Sequence, residues 1–141
     1  MKSMIISHIK GGTGNQLFTH SCGYYLSRKF QLKHRVEHRS GFFRYIYKFK
    51  FELDHFKIDT PKASVFISLY FVLKRLNGRI AKWYVKLITL RNVIEISDDL
   101  LKTNSDIMNW EPSPNTIYLL NGYFQSYQHN FELRNIFKDM Y

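Results

Sequence analysis

Short apolar segments separated by polar stretches divide this chain into the strands and helices of an α/β protein. The apolar run Met4–Ile9 predicts a buried strand, and Leu32–Glu37, Asn92–Ile96 and Thr116–Leu120 predict three more. Between the first two strands, apolar side chains recur at steps of three and four, which predicts a helix packed on a sheet: Phe18, Cys22, Tyr25, Leu26 and Phe30. A strand, helix, strand succession favours parallel strands, so we expect a Rossmann-like parallel sheet with flanking helices.

A longer amphipathic segment, Ala63–Leu90, predicts one or two helices with a break at Asn77-Gly78. The side chains expected to form its buried face are Val65, Leu69, Val72, Leu76, Ile80, Trp83, Leu87 and Leu90. The basic residues between Lys74 and Arg91 are then expected on the outer face. We favour this core helix with a basic outer face, and the alternative is an amphipathic helix that lies on an anionic membrane surface.

Shorter signals complete the prediction of elements. Ser97-Asp98-Asp99 predicts the N-cap of a short helix through Lys102, and Asn130 predicts the cap of a last helix. That last helix would carry Leu133, Ile136, Phe137 and Met140 on one side. Because its pattern contains no helix stop signal before Tyr141, we expect the chain to be part of a longer protein.

A glycine-rich turn, Lys10–Phe18, joins the first strand to the first helix and is a candidate anion cradle. Glycines at 11, 12 and 14 allow positive φ and close approach to a ligand, and the free N–H groups of a helix N-terminus favour a phosphate. The dinucleotide fingerprint would require a third glycine at Leu17, which argues against a dinucleotide oxidoreductase. Spacing alone fits a tight structural turn equally well. The paired amides Asn15 and Gln16 favour ligand binding, because a plain turn needs only one capping residue.

Composition changes this picture mainly through charge. The chain carries a formal net charge of +10, and residues 1–94 hold 18 Lys and Arg against 4 Asp and Glu. A basic surface suits nucleic acid, anionic lipid or a phosphorylated small molecule. Between Arg44 and Ile58, aromatic and basic residues alternate, so this segment either stacks on single-stranded nucleic acid or packs a loop onto the core. The single cysteine, Cys22, excludes an internal disulfide and is expected in the core.

The densest cluster of titratable side chains is His34–Arg39. Strand alternation places His34 and His38 on one side and Glu37 on the other, which is not the spacing of a helical metal pair. We therefore expect no metal site here. Glu37 ends the second strand, at the edge where ligands collect in such folds, and it is either a site residue or a solvated carboxylate.

Several motifs, in this order, resemble the α-1,2-fucosyltransferases of glycosyltransferase family 11. The family signature Gly-Gly-x-Gly-Asn-Gln-aliphatic-Phe matches residues 11–18, and a small glycine of the first helix matches Gly23. Glu37 and the Ser40-Gly41-Phe42 loop match the next elements, and Phe51–Ile58 loosely matches a later one. The last motif, Gly-Tyr-Phe/Trp-Gln-Ser, is present at residues 122–126.

This resemblance implies transfer of L-fucose from the donor GDP-fucose to the 2-hydroxyl of a galactose-containing acceptor, with inversion and without a required metal or other cofactor. It implies the N-terminal Rossmann-like half of a GT-B glycosyltransferase across residues 1–141, ending before the GDP-fucose-binding second domain. The implied substrate-binding residues are Gly11, Gly12, Gly14, Asn15, Gln16, Tyr123 and Gln125, and of these Gln16 is expected mainly to hold the turn together. Tyr123 is expected to act by stacking and Gln125 by hydrogen bonding.

The chain also departs from the family pattern. Thr13 stands where relatives carry an apolar residue, and the His-x-Arg-x-Gly/Asn donor motif does not occur, since His38-Arg39-Ser40-Gly41 differs in spacing and position. No general base is assigned: Glu52, Asp54 and the histidines are candidates by type alone. We therefore expect the isolated chain to be nearly inactive.

The expected location is the cytoplasm, with peripheral attachment at the inner face of the membrane as a hypothesis based on the Lys74–Arg91 basic face. The fucosyltransferase interpretation implies no nucleic-acid partner. The alternative interpretation is a basic, aromatic-rich binding module for nucleic acid or an anionic membrane surface.

Overall fold

The protein folds around one four-stranded, all-parallel sheet. The computed structural model describes residues 2–42, 49–56, 58, 60–101, 110–125 and 138. The strands are β1 (Met4–His8), β2 (Lys33–Glu37), β3 (Asn92–Ile96) and β4 (Thr116–Leu120), in the spatial order β2-β1-β4-β3. All three pairings are parallel, and the four strands lie where the sequence predicts them to within one residue. The predicted Rossmann-like α/β fold is therefore confirmed.

Helices cover both faces of this sheet. They are α1 (Thr13–Lys29), α2 (Val65–Leu76) and α3 (Gly78–Thr89). Alternation along β1 sends Ile5 to a cluster with Leu26 of α1, and Ile6 to a cluster with Tyr70 of α2 and Val85 of α3. β4 supplies both clusters in the same way, and all five of its residues are buried. A parallel sheet covered on both faces explains why nearly all residues of its central strands are buried.

Helix α1 begins at Thr13, three residues before the predicted start near Gln16. The second half of the glycine turn is therefore the first helical turn. Further along, a Cβ placed on Gly23 would lie 2.2 Å from Ser7 Oγ and 2.5 Å from His34 Nε2, which confirms the predicted close helix–strand contact. Cys22 is buried beside it, as predicted.

The predicted break between two helices is confirmed at Asn77-Gly78. Asn77 has extended backbone angles, and its side-chain Oδ1 accepts hydrogen bonds from the backbone N–H groups of Arg79 (2.9 Å) and Ile80 (3.3 Å). Asn77 is thus both the end of α2 and the N-cap of α3.

The predicted buried face of these helices is wrong. The eight apolar residues assigned to it are all exposed: Val65, Leu69, Val72, Leu76, Ile80, Trp83, Leu87 and Leu90. Ile67, Tyr70 and Phe71 of α2, with Ala81 and Val85 of α3, pack on the sheet instead. Helix α2 is apolar on two sides, so periodicity identifies both stripes without deciding which one the sheet takes. The stripe that packs on the sheet is the one that contains the aromatic rings of Tyr70 and Phe71.

The loops match the predictions in part. A 3₁₀ helix at Asp98–Leu101 occupies the place of the predicted short helix after β3, and Lys102 lies outside the described residues. In the aromatic and basic segment, Leu53 is fully buried, and it packs with Phe51 against Ile9 and Val36. Leu53 and Phe51 therefore pack this segment on the core, whereas Phe49 and Phe56 are exposed. Residues 43–48 and the predicted last helix, Asn130 with Leu133, Ile136, Phe137 and Met140, lie outside the described residues.

No helix in the described part of the chain has both the length and the apolar character needed to cross a bilayer.

Candidate functional site

The carboxyl ends of three strands bring the candidate residues together. β1 ends at His8, opposite Glu37 at the end of β2, and Ser7 is in register with Leu120 at the end of β4. The glycine turn follows β1, Ser40-Gly41 follows β2, and Asn121–Gln125 follows β4. Ligands of open parallel α/β sheets bind at this edge.

Within the glycine turn, each glycine has a different role. Gly11 has a φ of +76°, a conformation that favours glycine, whereas Gly12 is the N-cap of α1 with a φ of −70°. Gly14 is exposed in the first turn of α1. Among the described residues, apart from the helix's own backbone and the adjoining residues, no heavy atom lies within 4 Å of a Cβ placed there. Of the three glycines of the turn, only Gly11 therefore has a positive φ, and Gly14 leaves open space beside the helix N-terminus.

Gln16 is buried and holds the turn to a distant segment. Its Nε2 donates to the carbonyls of Gly11 (2.9 Å) and Lys50 (2.6 Å), and its Oε1 accepts from the backbone N–H of Glu52 (2.9 Å). The side chain therefore satisfies three backbone groups, in agreement with the structural role predicted for it. Both ends of the Gln16 amide are thus hydrogen-bonded to the protein's own backbone.

The glycine turn contacts the loop after β4 at three points. The Asn15 Oδ1 accepts a hydrogen bond from Gln125 Nε2, and the Thr19 hydroxyl donates to the Gly122 carbonyl at 2.9 Å. The Tyr123 ring lies 3.2 Å from the position of a Cβ on Gly11. The two predicted loops therefore form one continuous surface.

Asp98, at the start of the 3₁₀ helix, fixes the second loop. Its carboxylate accepts from the backbone N–H groups of Tyr123 (3.2 Å) and Phe124 (2.8 Å). Phe124 has a φ of 52°, and its side chain is buried in the cluster with α1. Asp98 and the buried Phe124 ring together hold the backbone that presents Tyr123.

Beside this surface lies an open cleft of about 380 Å³. Three cations converge on it, and its lining residues are His8, Lys10, Gly41, Phe71, Lys74, Arg75 and Asn121. Lys10 belongs to the glycine turn, and its ammonium lies 5.3 Å from the centre of the Tyr123 ring, so the cleft adjoins both the glycine turn and the loop after β4. Converging cations with few carboxylates fit an anionic ligand.

Asn121 links the groups of the cleft. Its Oδ1 accepts from Lys10 Nζ at 2.9 Å and lies 3.1 Å from His8 Nδ1, and its Nδ2 donates to Glu95 Oε1 at 2.6 Å. Glu95 also binds the ammonium of Lys74. Because a carboxylate receives the amide nitrogen, the amide oxygen must face Lys10 and His8, and His8 Nδ1 carries a proton.

Burial changes the protonation of the groups around the cleft. Burial lowers the pKa of His8 to about 4, against the opposing effects of Asn121 and Glu37, and burial also lowers the pKa of Lys10. At neutral pH, His8 is therefore a neutral ring, stacked on Phe71 with centroids 3.8 Å apart. It acts as a rigid wall and a hydrogen-bond donor, and the positive charge comes from the lysines and Arg75.

Glu37 is fully buried, and its hydrogen-bond partners are groups of the protein itself. Its carboxylate accepts from the backbone N–H groups of Arg39 (2.8 Å) and Ser40 (3.1 Å) and from the Ser68 hydroxyl (2.8 Å). The Ser40 hydroxyl donates to Glu37 Oε2 at 2.5 Å, and its oxygen lies 3.1 Å from His8 Nε2. Burial alone would raise the pKa of Glu37, but these hydrogen bonds hold it below its ordinary value. The solvated interpretation of Glu37 is thus wrong.

The sequence prediction named the two loops and missed the cleft beside them. Neighbouring loops hold the predicted Gly11, Gly12, Gly14, Asn15, Gln16, Tyr123 and Gln125. The missed residues are His8, Lys10, Lys74, Arg75 and Asn121. A lysine directly before the first glycine was an available signal for Lys10. Lys74 and Arg75 give no such signal, because only the folded chain brings α2 to this edge.

Glu52 and Asp54, candidate bases by type, do not line the cleft. Asp54 is exposed and pairs with Lys62 at 2.7 Å, and Glu52 lies 3.4 Å from His55. His8 does line the cleft, but both of its ring nitrogens face protein groups. No group of the cleft is therefore assigned as the base.

In the described ranges, no group of three or more His, Cys, Asp or Glu side chains is arranged to hold a metal ion. Comparison of the chain with protein-family models, with curated proteins and with solved structures finds no match.

Proposed function

We propose that this chain forms one wall of the active site of a GDP-fucose-dependent galactoside 2-α-L-fucosyltransferase. The observation that carries the proposal is the cationic cleft of Lys10, Lys74 and Arg75, which adjoins the glycine turn at the carboxyl edge of a parallel sheet. The motif resemblance of residues 11–18 and 122–126 supplies the choice of nucleotide sugar.

The proposed reaction breaks the bond between fucose and the diphosphate, and negative charge grows on the leaving GDP. Cations and preorganised N–H donors aimed at that charge lower the barrier. Lys10, Lys74 and Arg75 supply the cations, and the open N-terminus of α1 at Gly14 supplies N–H donors.

The remaining residues have positioning roles in the proposal. Gly11, Gly12 and the Asn15 amide line the donor side, and Tyr123 offers its ring for stacking beside Lys10. Gln125 holds Asn15 in place by the hydrogen bond between their amides. The acceptor 2-hydroxyl attacks the anomeric carbon from the opposite side, which inverts its configuration.

Nucleotide binding to the 141-residue chain tests the proposal. Isothermal titration with GDP, GDP-fucose, GMP and ADP at 150 mM salt should show weak, saturable binding that prefers the three diphosphates to GMP, because the cleft supplies cations for a diphosphate. Lys74→Ala and Asn15→Ala should each weaken GDP binding at least fivefold. Lys33→Ala, at an exposed position on β2, is the matched control and should leave it unchanged.

Two results would contradict the proposal. One is equal affinity for GMP and GDP, which indicates a general anion site that does not distinguish a diphosphate. The other is binding of a single-stranded oligonucleotide that is tighter than GDP binding and falls steeply with salt, which is the behaviour of a nucleic-acid-binding module.

A further inference from the structure

Helices α2 and α3 expose a continuous set of large apolar side chains, which we call the outer apolar face. Leu76 is 82% exposed and Trp83 is 65% exposed. The face comprises Leu69, Val72, Leu76, Ile80, Trp83 and Leu87. Contiguous apolar surface of this kind on a folded domain marks a binding surface.

Helix geometry places these side chains together. Leu69, Val72 and Leu76 are spaced by three and four residues, so they share the side of α2 opposite the buried Ile67 and Phe71. On α3, Ile80, Trp83 and Leu87 follow the same spacing, away from the buried Ala81 and Val85. Each helix thus has one apolar stripe on the sheet and a second one facing outward.

The charge of this region has one sign. Residues 65–91 contain six Lys and Arg and no Asp or Glu. On α3, Arg79, Lys82 and Lys86 are exposed and recur at steps of three and four, so they form a basic stripe beside Trp83. Glu95 lines a cavity of about 490 Å³ with Arg79 and Lys82, but its carboxylate binds Lys74 and Asn121.

This charge decides between possible occupants of the face. A second copy of the chain would bring one basic stripe against another, which is unfavourable. An anionic lipid surface complements the basic stripe and also accepts the apolar side chains. An exposed tryptophan between the two stripes suits the boundary between headgroups and acyl chains.

We propose that the outer apolar face and its basic stripe bind the surface of an anionic lipid bilayer, with α2 and α3 lying along it. The proposal is independent of the fucosyltransferase assignment. Since Phe71 and Lys74 on the other side of α2 line the cationic cleft, the bound protein holds that cleft about one helix diameter, ~10 Å, from the lipid.

Flotation with vesicles tests this proposal. The protein should float with phosphatidylcholine vesicles that contain 30% phosphatidylglycerol and stay at the bottom with pure phosphatidylcholine. Tryptophan emission should shift to shorter wavelength on binding, and Trp83→Phe should remove the shift while leaving flotation intact. Lys82→Glu with Lys86→Glu should reduce the partition coefficient at least tenfold, and so should Leu76→Ser with Trp83→Ser.

Matched controls separate this face from net charge and general stickiness. Arg28→Glu with Lys33→Glu, both exposed outside α2 and α3, makes the same charge change, and Leu100→Ser removes an exposed apolar side chain from the 3₁₀ helix after β3. Both should bind vesicles like the parent. The proposal is overturned by failure of the parent to float at low salt, by equal losses in the control and face variants, or by a dimer that Trp83→Ser dissociates.

Discussion

At the scale of single residues, two side-chain amides join the segments around the glycine turn by hydrogen bonds. Gln16 bonds three backbone groups from two segments, and Asn121 joins Lys10, His8 and Glu95. An amide suits both positions because it donates and accepts at once. The geometry of the candidate site therefore depends on two amides, the buried Gln16 and the half-buried Asn121, most of whose partners are far away in the sequence.

Replacing Gln16 should destabilise the fold strongly. Gln16→Ala leaves one buried carbonyl, and a part-buried carbonyl and N–H, without their partner, and we expect a loss of about 2–4 kcal/mol in the free energy of unfolding. Urea unfolding measures this. Gln125→Ala, at an exposed amide, is the control and should cost under about 1 kcal/mol. Similar losses in both variants would contradict the assigned role.

At the scale of elements, helix α1 is positioned by contact with β1 and the start of β2. Gly23 allows Ser7 and His34 to approach the helix backbone, and the same helix presents Gly14 to open space at its N-terminus. One helix thus contains a glycine that packing requires and another that packing does not require. The second is a candidate for ligand approach.

The two glycines of α1 should respond oppositely to alanine. Gly23→Ala forces its Cβ against Ser7 and His34 and should cost about 1–3 kcal/mol, whereas Gly14→Ala should stabilise by about 0.5–1 kcal/mol because alanine favours helix. Thermal unfolding of both variants measures this. If the glycine turn binds GDP as proposed, Gly14→Ala should also weaken GDP binding. Stabilisation by Gly23→Ala would show that the helix can move away from β1.

At the scale of the whole molecule, the buried titratable groups make stability depend on pH. Burial, with His20 beside it, lowers the pKa of His34 to about 3, and burial lowers that of His8 to about 4. As the pH falls, both histidines take up a proton in the unfolded chain before they do so in the folded chain. The free energy of unfolding is therefore highest above about pH 6.5 and decreases as the pH falls below 6.5. Glu37, with its pKa held below 4.5, adds a loss only below that pH.

Acid unfolding should therefore have two separable parts. His34→Gln should reduce the slope of unfolding free energy against pH between 6.5 and 4.5 by up to about 1.4 kcal/mol per pH unit, the value for one proton. Glu37→Gln should change the slope of the unfolding free energy against pH only below pH 4.5, when the free energy of each variant is expressed relative to its own value at pH 7. Urea titrations at several pH values measure both, with His55→Gln at an exposed ring as control. Equal slopes in His34→Gln and the parent would contradict the assignment.

The sequence determined much of this protein by itself. Short apolar runs predicted the four strands, the glycines and Asn77 predicted the turn and the helix break, and the two loops of the candidate site followed from the parallel sheet. These features are local, because a strand, a turn or a cap depends on residues that are adjacent in the chain. The buried position of Cys22 and the close approach at Gly23 were also predictable from helix spacing.

Tertiary structure alone decided which side of α2 and α3 faces the sheet. Both sides of α2 are apolar, and the aromatic side with Tyr70 and Phe71 fills the space over Ile6 and Ile117. The same packing turned Leu76 and Trp83 outward and brought Lys74 to the cleft beside Lys10. Periodicity measures the apolar stripes of a helix but contains no information about the shape of the surface that receives them. For that reason the cationic cleft and the outer apolar face emerge only from the folded chain.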